Sequence, residues 1–213
     1  MGIGGIFRAL RTIPVLFDIA EDIKEVCPNA WFLNYTNPMA ILTGALIEKG
    51  IKTVGLCHSV QVCADEILTG VKMKEEVSNI QWKIAGINHQ AWLLEITDNG
   101  KDIYPEIRKR AEEINKNARI IGNEKHDDMV RFEIMKYFGY YTTESSEHNA
   151  EYSPYWIKEK YPQLIEEFNI PLDEYPRRCV KQIADWKKQK EDIVNNKNIT
   201  HKSRHEYGSY IIE

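Results

Sequence analysis

Apolar residues recur at helical spacing almost from the first residue: Ile6, Leu10, Ile13, Phe17, Ala20 and Ile23 predict one amphipathic helix. No capping residue precedes it, and Pro14 is expected to kink its middle. Beyond Cys27-Pro28-Asn29 the pattern changes. AWFLNY, residues 30 to 35, is an apolar run short enough for a buried strand. Pro38 suits the first turn of a helix reaching Glu48, and Gly50 suits its C-terminal cap. TVGLC, residues 53 to 57, predicts a second strand, and SVQVCADEILTG, residues 59 to 70, a second helix. Strand, helix, strand, helix with short links predicts parallel strands joined by crossovers, the second half of a doubly wound α/β sheet.

From Asn79 onward the texture differs. IQWKIAGI and AWLLEIT flank GINHQ with no room for a helix, and the second run ends in the turn signal TDNG, which predicts an antiparallel pair. The remainder reads as helices over Pro105–Asn117, Asp127–Phe138, Ser153–Phe168 and Pro176–Asn195. The expected organisation is an α/β region over residues 1–78 and a helix-rich α+β region over residues 79–213. Near the end, Ser203 and Glu206 have the spacing of a capping box, with Tyr207, Tyr210 and Ile211 as the apolar face of the helix it opens. A chain that opens and closes within predicted helices is expected to be the middle, or a shortened form, of a larger protein. The sheet edge and helix faces left uncovered, Ile6, Leu10, Ile13 and Phe17 among them, then predict a homo-oligomer.

Composition narrows the function classes. The 213 residues carry 43% hydrophobic side chains, enough for a core, and a net charge of −4 that gives no reason to expect nucleic acid. The basic clusters at Arg108 to Arg110 and Lys187 to Lys190 lie in acid-rich predicted helices and read as solvated faces. No apolar run approaches the roughly 20 residues of a membrane span. A cytoplasmic location and no membrane partner are expected, and four widely spaced cysteines without a CxxC suit a reducing compartment.

The candidate chemistry gathers at strand ends, where open α/β sheets place ligands. Asn34 and Asn37 follow the first strand, Cys57 and His58 the second, and Asn88 and His89 lie between the antiparallel runs. Thiolate and imidazole both bind borderline-soft divalent ions, so Cys57 with His89 is a possible metal pair; a buried thiol and a satisfied histidine would be the structural alternative. Asn34 and Asn37 equally suit turn formation ahead of Pro38.

The strings GGIFRALRTIPV, NYTNPMAILTGAL, GLCHSVQ, AGINHQAWLLEI, FGYYTTESSEHNAEYSPYWIK and HEYGSYIIE resemble family 4 glycoside hydrolases, and within them the α-galactosidase (melibiase) group. The resemblance covers essentially the whole chain. It implies a fold related to lactate and malate dehydrogenases, NAD and a divalent metal, usually Mn²⁺, as cofactors, and an α-galactoside as the small-molecule substrate. Residue by residue, it implies metal ligation by Cys57 and His89, contact of His58 with sugar hydroxyls or the leaving group, and sugar binding by Asn37 with Asn34 beside it. The general base falls in FGYYTTESSEH, where Tyr140, Tyr141 and Glu147 are not separated. The implied route is oxidation at C3, proton removal from C2, elimination at C1, water addition and return of the hydride. The family's glycine-rich dinucleotide loop has no counterpart, because GIGG at residues 2 to 5 follows no strand, so no cofactor-binding residue is assigned. A 2-hydroxy acid dehydrogenase relative and a non-catalytic metal- or sugar-binding remnant are the alternatives; against the former, GINHQ lacks the GxHG spacing around the catalytic histidine.

Overall fold

The computed structural model describes residues 2–121, 124–172 and 174–195. They form two compact units that divide between His58 and Ser59.

In the first unit a 25-residue helix, α1 (Gly2–Val26), precedes β1 (Phe32–Asn34), α2 (Met39–Glu48) and β2 (Thr53–Gly55). Ala9, Leu16 and Ala20 of α1 bury against Leu42 and Leu46 of α2 and against Ile51; the two alanines let the helices approach closely. The expected kink at Pro14 does not end α1, which runs on through it. Pro14 lies on the exposed face, where water can hydrogen-bond the Leu10 carbonyl that the missing N–H leaves open. Of the apolar face expected to stay uncovered, Ile6 and Leu10 are exposed, but Ile13 packs on the α1–α2 core and Phe17 lies under the Lys49 ammonium, 4.6 Å from its ring centroid.

The strands β1 and β2 are parallel as expected, in register from Phe32 opposite Thr53 to Asn34 opposite Gly55. The first strand is shorter than AWFLNY and only partly buried, with Trp31 and Leu33 exposed, because a two-stranded sheet covers little of either face. β2 crosses α2 so closely that a Cβ at Gly55 would collide with the Met39 and Thr43 side chains.

The second unit begins with α3 (Ser59–Gly70) and a 3₁₀ turn (Lys74–Glu76). β3 (Ile80–Ile87) and β4 (Gln90–Asp98) form the expected antiparallel hairpin, and β5 (Lys101–Asp102) and β6 (Tyr141–Thr142) pair with successive parts of β4. The helices are α4 (Tyr104–Ile121), α5 (Met129–Phe138), α6 (Ser146–Tyr152), α7 (Gln163–Glu167) and α8 (Glu174–Val194). The division expected at residues 78 and 79 differs from the compact units, because Cys63, Ala64, Ile67, Leu68 and Val71 of α3 enter the same core as Leu93 and Ile96 of β4 and Ile107 of α4. The single helix expected over Ser153–Phe168 is reduced to α7. Pro154 holds Ser153 extended at the end of α6, and Trp156 turns into the core while Tyr155 stays exposed, before the chain becomes helical again. The capping box at Ser203 and Glu206, with Tyr207, Tyr210 and Ile211, lies outside the described residues.

At the centre is α5, with every side chain from Met129 to Met135 buried, as befits a helix covered all round. Arg131, 5% exposed, pairs with Asp128 one turn back and with Glu66 of α3, Nη1 to Oε2 at 2.9 Å. Its guanidinium lies 4.5 Å from the centroid of the Tyr141 ring, whose hydroxyl donates to Asp128 Oδ2 at 3.0 Å. The Tyr104 hydroxyl donates to the Leu93 carbonyl at 2.6 Å and accepts the Tyr141 N–H at 2.8 Å, so α4, β4 and β6 meet at one oxygen. No helix among the described residues is long and apolar enough to cross a membrane.

Removing Arg131 would strand Asp128 and Glu66, so Arg131→Met is expected to cost about 3–5 kcal/mol in chemical denaturation. Burial pushes the Cys63 thiol up from 9.0 to about 12. The folded state therefore keeps a proton that the unfolded chain releases: this stability is complete below about pH 9 and is lost as pH rises toward 12. Denaturation at pH 8 and pH 10 should show a loss that is smaller in Cys63→Ala, and a thiol reagent at pH 8 should label exposed Cys27 and Cys179 well before Cys63.

Candidate functional site

In the first unit the candidate residues cluster where strands end. Asn34, 1% exposed at the end of β1, spends its side chain locally. Its Oδ1 accepts the Thr36 N–H at 2.9 Å, and its Nδ2 donates to Thr43 Oγ1 at 3.0 Å and to the Met39 carbonyl at 3.4 Å. That is a brace between strand and helix. Asn37 is exposed; its Oδ1 accepts the Met39 N–H at 3.3 Å, and its amide N–H₂ points away from that bond and can meet a ligand. Cys57 and His58 follow β2, both half-buried, and Cys57 is in no disulfide.

In the second unit His89 sits with Asn88 at the tip of the β3–β4 hairpin, between Ile87 and Gln90. The tip is tight: at Gly86, φ 132°, a Cβ would meet the Ala91 Cα at 2.7 Å, so no other side chain fits there without displacing the turn. Asn88 Oδ1 accepts the Ser59 hydroxyl at 3.0 Å, which ties the tip to the start of α3.

Register brings a partner to His89. β6 places Tyr141 opposite Leu93 and Thr142 opposite Trp92, and the Thr143 N–H donates to the Ala91 carbonyl at 3.0 Å. The next residue, Glu144, therefore arrives beside the hairpin tip, with Oε2 3.1 Å from His89 Nε2. Its other oxygen accepts the Ser145 N–H at 3.0 Å. Asn149, buried on α6, donates to Thr142 Oγ1, the Glu144 carbonyl and the Ser145 carbonyl at 2.8–3.1 Å, clamping this segment. Ser145 caps α6 by accepting the His148 N–H at 3.2 Å, and Ser146 Oγ accepts the Arg131 N–H at 3.1 Å. The carboxylate is thus fixed at both ends. Around it, the Tyr152 ring lies nearly parallel to His89 at 6.4 Å and His148 at 5.8 Å.

The three candidate bases fall in different surroundings. Tyr141 is fully buried with its hydroxyl given to Asp128, and burial holds that hydroxyl well above its ordinary value of 10.0, so in this structure it is engaged in the core. Tyr140 is 42% exposed and meets Tyr104 edge-on at 6.1 Å. Glu147 is buried in the first turn of α6, with Arg178 of α8 3.7 Å away. Sequence reasoning missed Glu144 and Asn149, although both stand in TTESSEHN. The available signal was a strand-forming YYTT followed by an acid and a capping serine, but only the pairing of β6 with β4 turns it toward His89.

A family model described as family 4 glycosyl hydrolase matches residues 1–73, and its C-terminal-domain counterpart matches residues 84–213. An α-galactosidase of Bacillus subtilis (strain 168) is 64% identical over 214 residues, covering 100% of this chain and 48% of the relative. Among solved structures, lplD of Bacillus subtilis superposes with a TM-score of 0.74 at 24% identity, over 100% of this chain and 51% of the other. A 6-phospho-α-glucosidase from gut microorganisms, solved in complex with NAD and Mn²⁺, gives 0.59 at 21% identity, over 99% of this chain and 48% of the other. At those identities the two structures speak to the fold alone. The chain spans about half the length of the relatives it matches. From both ends of its sequence the chain belongs to family 4 of the glycosyl hydrolases.

Proposed function

We propose that this chain carries the metal- and sugar-binding part of an α-galactosidase that works with NAD and a divalent ion such as Mn²⁺, and that Cys57, His89 and Glu144 hold the ion. The observation that carries the reading is the fixed pair His89 and Glu144, 3.1 Å apart. Cys57 stands two residues before Ser59, whose hydroxyl is bonded to Asn88 at the same hairpin tip, so about 7 Å of backbone separates it from a residue anchored there. Thiolate, imidazole and carboxylate, each half-buried, are a donor set that suits a borderline divalent ion, and three protein ligands leave positions for substrate oxygens. The identity to an α-galactosidase supports the substrate class.

Bound, the ion would polarise the sugar's O2 and O3 as a Lewis acid, and NAD would take up and return hydride at C3. GIGG lies inside α1, and no described residue is assigned to the dinucleotide. Asn37 donates its free amide N–H to a sugar hydroxyl, and His58 serves another hydroxyl or the leaving group. Asn34 acts one step back, because its hydrogen bonds fix the turn that presents Asn37. The C2 proton goes to Tyr140 or Glu147. Asn149 and Ser145 hold Glu144 so that its Oε2 faces His89. Family membership sets aside the 2-hydroxy acid dehydrogenase alternative.

Titration of the reduced protein with Mn²⁺ should show saturable binding that Cys57→Ser and His89→Ala abolish. Asn149→Leu, which frees the Glu144 segment, should weaken it about 10- to 100-fold. Mn²⁺ should also slow alkylation of Cys57 without slowing that of Cys27 or Cys179; equal rates with and without the ion would refute ligation. Hydrolysis of p-nitrophenyl α-galactoside by protein of the relatives' full length should require both NAD and Mn²⁺. In D₂O it should place deuterium at C2. Turnover after both have been stripped would point instead to a carboxylate-pair hydrolysis. Replacing Tyr140 by Phe and Glu147 by Gln separates the two bases, since only loss of the base suppresses C2 exchange.

A further inference from the structure

Three rings meet at the β3–β4 hairpin tip. His89, His148 and Tyr152 lie with their centroids 5.7–6.4 Å apart, and the Tyr152 ring is within 10° of parallel to His89. Both imidazoles have carboxylates beside them, Glu144 at 3.1 Å from His89 Nε2 and Glu151 at 3.8 Å from His148 Nδ1. Tyr152 is placed differently. It is 45% exposed, so the core leaves nearly half of it to solvent next to the ion ligands. Its helix holds it in position: Ser145 caps α6 at one end, and at the other the Ser153 hydroxyl donates to the Asn149 carbonyl at 2.7 Å. A tyrosine ring on a braced helix offers a ligand an apolar plane at little cost in conformational entropy.

The sugar has a plane to match. In a galactoside the axial O4 stands on one face of the ring, and C3–H, C4–H and C5–H form an unbroken apolar patch on the other. In the 4-epimer, a glucoside, C4–H points to the opposite face and the patch is broken. O2 and O3 directed to the ion leave C4 and C5 to the residues around the ligands, and Tyr152 is an exposed aromatic ring among them. We propose that Tyr152 is a specificity-determining residue of this site: its ring stacks on the C3–C5 patch of an α-galactoside and disfavours the 4-epimer. The inference rests on the reading of Cys57, His89 and Glu144 as the ion site.

Calorimetry on the full chain loaded with Mn²⁺ reads the affinities for methyl α-D-galactoside and methyl α-D-glucoside. The galactoside should bind more tightly. Tyr152→Leu should weaken its binding about 3- to 10-fold and remove most of the preference, whereas Tyr152→Phe should keep both, because the ring makes the contact. Mn²⁺ affinity should be the same in all three proteins. With diamagnetic Zn²⁺ in place of Mn²⁺, NMR should show ring-current shifts on H3, H4 and H5 of the galactoside that vanish in Tyr152→Leu. Ion-dependent galactoside binding that Tyr152→Leu leaves unchanged overturns the inference and leaves the ion site standing. Lost binding in Tyr152→Phe would assign the contact to the hydroxyl, and lost Mn²⁺ affinity in Tyr152→Leu would make the ring a support for His89; either overturns it. Absence of ion-dependent galactoside binding in the unaltered chain would overturn the ion-site reading and the inference with it.

Discussion

A buried guanidinium holds the second unit together. Arg131 is charged and almost wholly out of water, a situation that costs several kcal/mol unless partners surround it. Asp128 and Glu66 supply the countercharge, and the Tyr141 ring covers the guanidinium face. Each partner comes from a different place in the chain: α3, the start of α5, and β6. Satisfying one cation therefore fixes three elements at once. The Tyr141 hydroxyl closes the circuit on Asp128, and α3 passes close beside it at Gly70, where a Cβ would lie 3.1 Å from Asp128 Oδ2.

The same circuit sets the geometry of the candidate site. Tyr141 is both the lid of the guanidinium and half of β6, so the strand's register against β4 is fixed by a core residue. Two residues further on, that register delivers Thr143 opposite Ala91, and then Glu144 beside His89. A slip of one residue would turn Tyr141 outward and carry Glu144 to the other face of the sheet. The Arg131 backbone N–H, bonded to Ser146 Oγ, links α5 to α6, whose Asn149 clamps the Glu144 segment from the other side. Stability and site geometry thus share their residues, and the carboxylate is presented by a rigid core instead of by a free loop.

The two asparagines of NYTNP divide their labour by the same logic. Asn34 is buried, so its donors and acceptor must be satisfied, and the turn into α2 satisfies them. Asn37 is exposed and needs only one bond to organise the helix start. In the linear sequence the two are equivalent turn formers; burial alone assigns one to the scaffold and leaves the other available to a ligand. A comparable split separates Tyr140 from Tyr141, adjacent in sequence and on opposite sides of the protein surface.

The sequence by itself determined whatever depends on local periodicity and on residue chemistry. Helical spacing located α1, α3, α4, α5 and α8, alternation around GINHQ predicted the β3–β4 hairpin, and strand–helix alternation predicted the parallel pair of β1 and β2. The strings around Cys57, His89 and TTESSEH were enough to carry a resemblance to the family that the comparisons show. Local pattern failed where a distant partner decides the outcome. Residues 153 to 168 looked helical, but two prolines and the burial of Trp156 against Phe168 left only a short α7. β6 has two residues, too few for any period to show, and exists only because β4 offers it an edge. Glu144 acquires its place by that pairing, and Tyr152 its place beside His89 by the packing of α6 on α5. Those positions depend on residues far apart in the chain, and tertiary packing is what brings them together.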